Sequence, residues 1–107
     1  MKTAGNKKKE TKKDISPDLE PGEIYRVHSH KGSLYCYGSP GFKGPDIIIS
    51  NKSSISLMFV DQSDFLYYIV GSPLPCFEYK FYNVTNNELV YCILDKKINP
   101  LKHFKKI

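Results

Sequence analysis

Between residues 24 and 94 the chain alternates short apolar runs with clusters of turn-forming residues, and this rhythm constrains the fold more than any other feature. The runs are IYRVH (24–28), LYCY (34–37), DIIIS (46–50), ISLMFV (55–60), FLYYIV (65–70), CFEYKFYNV (76–84) and ELVYCIL (88–94). HKGS, a Gly/Pro loop, NKSS, DQSD, GSPLP and TNN separate them. No run is long enough, or regular enough at a 3.6-residue period, to make an amphipathic helix. The pattern predicts an all-β domain, a small antiparallel meander of about seven strands closing into a barrel or sandwich. Eight Tyr and six Phe with no Trp fit the half-buried pleated surfaces of such a sheet.

Register can be read locally. Phe77, Tyr79 and Phe81 alternate with Glu78, Lys80 and Tyr82, so the three rings share one face. A two-residue turn at Asn86-Asn87 places Phe81 opposite Cys92 and Tyr79 opposite Leu94. Phe77, Tyr79, Phe81, Val90, Cys92 and Leu94 then form a core face. A turn at Gln62-Ser63 pairs ISLMFV with FLYYIV, Leu57 facing Tyr68 and Phe59 facing Leu66. A turn at Lys31-Gly32 sets His28 opposite Tyr35. Short links predict that neighbours in sequence are neighbours in the sheet. The tail NPLKHFKKI suits a short C-terminal helix, with Leu101, Phe104 and Ile107 on one side.

The net charge of +5 sits at the ends. Residues 1–23 hold six Lys against five acids, residues 24–95 five bases against six acids, and residues 96–107 five Lys and no acid. Residues 1–13 have no large apolar side chain after Met1 and cannot offset the entropy of ordering. The predicted division is therefore a disordered basic arm with an acidic, Pro-bearing linker over 1–22, and one β domain over 23–107 with a basic tail. A flexible polycation and a basic tail suit phosphate, through contacts that release counterions. The candidate polyanion-binding residues are Lys7, Lys8, Lys9, Lys12, Lys13, Lys102, Lys105 and Lys106. In outline, a basic arm on a compact β body resembles small viral structural and accessory proteins.

The stretch GSPGFKGPD (38–46) invites three chemical readings. A phosphate loop needs a Lys-Ser or Lys-Thr pair and a following helix; a dinucleotide loop needs glycines two and then three apart; a collagen strand needs many triplets. None is present, so the segment reads as a corner, with Phe42 and Lys43 at its tip as candidate partner contacts. His28 and His30 are two apart and share a strand face, but Cys36, the nearest soft third ligand, falls on the other face, so no metal site is expected. Cys76 and Cys92 have opposite parity, which argues against a disulfide. Asn51-Lys-Ser and Asn83-Val-Thr match a glycosylation triplet by chance in a chain without a secretory signal.

No acid, base and nucleophile can be brought together by spacing, so the expectation is a non-enzymatic binding module with no cofactor. It would dock a protein or nucleoprotein partner, with its basic ends on nucleic acid. The alternatives are a structural or self-associating interaction subunit without nucleic-acid binding, and association with an anionic membrane surface through the arm and a Leu101/Phe104 face. Odd cysteine number and the absence of a signal point to an intracellular protein, cytoplasmic or nuclear.

Overall fold

The computed structural model describes residues 19–107; the arm over 1–13 and the first part of the linker lie outside the described residues. The elements are β1 (Ile24–Val27), β2 (Ser33–Ser39), β3 (Lys43–Ser50), β4 (Leu57–Ile69), β5 (Ser72–Asn83), β6 (Glu88–Asp95), a 3-10 turn (Pro100–Lys102) and β7 (Phe104–Lys106). All strands join one antiparallel sheet in the order β3-β2-β6-β5-β4-β1-β7, curled into a half-barrel. The all-β architecture predicted from the turn rhythm is the one observed.

The core lines the concave side. Tyr79, Phe81, Val90 and Cys92 are buried there, with Leu94 beside them and Phe77 half-buried at the margin. The face read from the alternation is thus correct, but the register differs by two residues. Tyr79 faces Cys92 and Phe81 faces Val90. The reason is a longer turn. Asn83, itself buried, accepts the backbone N–H groups of Thr85 and Asn86 on its Oδ1, both at 3.0 Å. This holds residues 84–87 as a loop that ends on Asn87 at φ 61°. A slip of two preserves parity, so every side chain keeps its face.

The expected turn at Gln62-Ser63 does not exist. ISLMFV and FLYYIV are one strand, β4, running against β5 from Leu57↔Asn83 to Ile69↔Ser72. Leu57 therefore does not face Tyr68, and Phe59 faces Phe81. The polar DQSD segment lies mid-strand because β4 is covered only at Leu57 and Met58 by β1 and at Phe59 by the backbone of Gly22 and Glu23, so its outer edge beyond Phe59 meets water. A bulge at Val60 separates the pairs Phe59↔Phe81 and Asp61↔Lys80. The true turn is Val70-Gly71, at φ 49° and 80°, the doubly left-handed geometry of tight hairpins.

The sheet is also not a simple meander. β1 and β2 follow each other in sequence but do not pair, so His28 does not face Tyr35. β1 lies between β4 and β7, and β2 between β3 and β6. In place of a C-terminal helix there is a single 3-10 turn, opened by Asn99, whose side chain accepts the Leu101 N–H, and then β7 along the free edge of β1. Of the three residues expected on one helix face only Phe104 is buried; Leu101 and Ile107 are exposed. The open side is tied by Asn51, just after β3. Its Oδ1 accepts the Ser29 N–H at 2.7 Å and its Nδ2 donates to the Ser29 carbonyl, a side chain acting as one rung of a ladder. Leu19 is buried in the core and the Gly22 N–H donates to Phe59 O, so the folded body starts before residue 23.

Candidate polyanion-binding cleft

Alternation along β1 sends Tyr25 and Val27 into the core and leaves Arg26 exposed on the outer face. β7 does the same with Phe104 inside and Lys105 outside. Because Arg26 and Lys105 are direct partners across the β1–β7 pair, two cations stand side by side on the outer surface. Like charges directly opposite in a sheet repel. Neither has an ion pair with a described residue.

A cleft of about 270 Å³ opens at this pair, lined by Arg26, Val27, His28, Asn51, Lys105, Lys106 and Ile107. His28 also borders a second cleft of about 490 Å³, with His30, Leu101 and Lys102. Arg26 and Ile107 border a third of about 140 Å³, over residues 53–56. Shared walls make the three a string of hollows around one pole of the barrel, and no Asp or Glu side chain of the described residues lines any of them.

The walls are held from below. The His28 N–H donates to His103 O at 2.7 Å, continuing the β1–β7 ladder past its last pair. Ser29 is buried; its hydroxyl lies 3.3 Å from His103 Nδ1 and accepts the Lys31 N–H at 3.2 Å. Burial lowers the His103 pKa from its ordinary value, and His30, Lys31 and Lys102 lower it further by charge. Burial, the larger cause, disfavours charge of either sign; only the contribution of Lys31 and Lys102 is one that an anion would feel as attraction. The Arg26 guanidinium and the Lys105 ammonium, neither paired with a described carboxylate, suit phosphate oxygens, the guanidinium with two parallel donors.

Of the Lys residues singled out from sequence, the structure brings Lys102, Lys105 and Lys106 to this pole. Lys106 differs from the other two: its Nζ lies 3.3 Å from Glu23 and 3.8 Å from Glu20, and the hydrogen bond to Glu23 raises its pKa. Lys7, Lys8, Lys9, Lys12 and Lys13 lie outside the described residues. Arg26 and His28 also belong to the cleft, although sequence reasoning does not assign them to it. Their shared parity in IYRVH is legible, but nothing nearby indicates that a lysine-bearing strand runs alongside.

The Gly/Pro corner is the β2–β3 connection, folded back over the convex face. Gly41 N–H donates to Glu78 Oε2 at 2.7 Å. Phe42, at φ 64°, sets its ring 5.0 Å from Tyr37, 5.4 Å from Phe65 and 4.9 Å from Tyr67. Phe42 is therefore a half-buried strap across the sheet, while Lys43 is exposed. Gly38 is fixed by crowding, since a Cβ there would lie 2.9 Å from Pro45 Cδ. Cys36 sits in the concave core, far in parity from the exposed His28 and His30, and no group of three metal-binding side chains occurs among the described residues. Phe104, being in the core, shares no exposed face with Leu101. The exposed Tyr35, Tyr67 and Tyr68 line none of these hollows. Comparison with protein-family models, with characterised proteins and with solved structures gives no match.

Proposed function

We propose that this protein is a non-enzymatic binding module that grips the phosphate backbone of a nucleic acid at its β1–β7 pole, as part of docking a protein or nucleoprotein partner. The observation that carries the reading is the Arg26–Lys105 pair. These two cations have no ion pair among the described residues and stand in direct cross-strand opposition, in a hollow that no described Asp or Glu side chain lines. Such an arrangement costs folding free energy, and a bound polyanion offsets that cost. Lys102 extends the positive wall, and the Lys-rich stretch over 7–13 supplies further cations from the same chain.

The test is fluorescence anisotropy of labelled single-stranded RNA and DNA, titrated across a salt series. Binding is expected to weaken steeply with salt. Replacing Arg26 and Lys105 together by Ala should lower the log–log slope by about 0.7 for each phosphate that is no longer neutralised. Binding that ignores salt, or that the double substitution leaves unchanged, refutes the reading.

A further inference from the structure

β4 and β5 outrun the rest of the sheet. β6 pairs with β5 only from Cys76 onward, and β1 meets β4 only at Leu57 and Met58. Residues 65–75 therefore project as a two-stranded ribbon with no charged side chain in it. Leu66 is 50% exposed, Tyr68 60% and Val70 99%.

The two edges of this ribbon are unlike. The Lys96 N–H donates to Pro75 O at 3.1 Å, so Pro75 points its backbone groups away from β4. Pro73, two residues earlier, points the same way. Both outward positions of β5 thus lack an N–H, and that edge cannot carry a ladder. Their partners on β4 are Leu66 and Tyr68, which by the alternation of antiparallel pairs point outward too. Asp64 shares their parity, and no described backbone group bonds to the outward groups of Asp64, Leu66 or Tyr68. The run ends at Gln62, whose N–H is held by Asp61 Oδ1 at 2.7 Å.

We propose that this outer edge of β4 is a self-association surface, and that its occupant is the same edge of a second copy, antiparallel about a two-fold axis at Leu66. The edge is self-complementary in that register. Leu66 faces Leu66, Phe65 of each copy faces Tyr67 of the other, and Asp64 faces Tyr68. No like charges meet, whereas an axis at Asp64 would oppose two carboxylates. The other free edges are blunted by accepted means: β7 is three residues long and carries Lys105 and Lys106, and along the outer edge of β3 Asp46 is charged and the Ser50 carbonyl is taken by Ser53. FLYYIV combines high strand propensity with no charge and no Pro, the composition that pairs when left open.

Sedimentation equilibrium of the full chain over a wide concentration range tests this. The wild type should dimerise. Leu66→Pro removes only an outward N–H, and Leu66→Lys places a charge on the axis; both should be monomeric with unchanged circular dichroism, and the lysine variant decides if the proline variant does not fold. Ser72→Lys puts the same charge on the ribbon but away from the edge, and should still dimerise. A wild type that stays monomeric overturns the proposal. So does a dimer that survives Leu66→Lys, or one lost equally in Ser72→Lys. Co-sedimentation of a monomeric wild type with neutral phosphatidylcholine vesicles would assign the ribbon to a bilayer and overturn it as well.

Discussion

Replacing Phe104 by Ala tests the link between the core and the cationic pole. Phe104 is fully buried, its ring centroid lies 4.6 Å from that of Phe81 and 6.4 Å from that of Tyr79, and it is the only buried side chain of β7. Removing a buried phenyl ring costs about 3–5 kcal/mol, the spread reflecting how far the site collapses. For a domain of this size each kcal/mol is worth about 4–8 °C in Tm, so melting should fall by at least about 12 °C. Without the ring, β7 keeps only its backbone bonds to β1, from His103 O to the Ile107 N–H, and the exposed Lys106 ion pairs, so Lys105 should be held less firmly opposite Arg26. Nucleic-acid affinity should then drop below that of wild type at a temperature where circular dichroism still reports a folded sheet. Phe104→Leu keeps much of the apolar volume and should recover most of both losses. The assay is urea and thermal unfolding followed by anisotropy at matched folded fraction. A cost below about 1 kcal/mol would mean that β7 is not part of the cooperative core, and that Phe104 does not hold the cleft together.

The depressed His103 pKa makes stability pH-dependent with a definite sign. The unfolded chain binds a proton at about pH 6.5 while the folded chain resists it, so the neutral ring's stabilisation is complete above that value and is lost as pH falls toward the folded pKa. His103→Gln, which can still bond Ser29, should flatten the fall in Tm between neutral and mildly acidic buffer; an unchanged slope refutes the assignment. The three cysteines are free and buried. A hydrogen bond with Cys36, burial and the nearby Cys36 charge hold the Cys92 thiol well above its ordinary value, while burial first and Asp95 next raise Cys76. A thiol reagent should label none of them in the native protein and all three in denaturant; prompt native labelling contradicts this. Val70 is a β-branched residue at φ 49°, a conformation costing about 1–2 kcal/mol. Val70→Asn loses no buried surface and should slow amide exchange in the ribbon, and faster exchange would refute strain at that turn.

How much of the fold is legible in the sequence differs from strand to strand. A period of two is a local property, so the β5–β6 core face is legible even though the turn length is not. Asn83 sets the turn, and its role depends on burial that no local pattern reveals. DQSD resembles a turn because turn residues and the residues of a water-facing edge strand are chemically alike. Lys31-Gly32 signals a turn correctly, with Gly32 at φ 85°, but a turn does not specify that its two flanking strands pair. The partners of β1, namely β4 and β7, are distant in sequence, and single-strand patterning carries no record of them. The cleft is half legible for the same reason: Lys102, Lys105 and Lys106 stand out as a run, while Arg26 and His28 join them only through that distant pairing.

The β1–β7 pairing joins the first and last strands of the described chain, with Tyr25 meeting Lys106. The β4–β5 and β5–β6 hairpins close early, since neighbours in sequence meet with little loop entropy. The cationic pole, by contrast, is assembled from segments that wait for nearly the whole polypeptide. During synthesis Arg26 emerges long before its partner, and a chain stopped short of Phe104 would carry a ripening sheet without that pair of cations. The Arg26–Lys105 pair is thus the last thing this fold acquires.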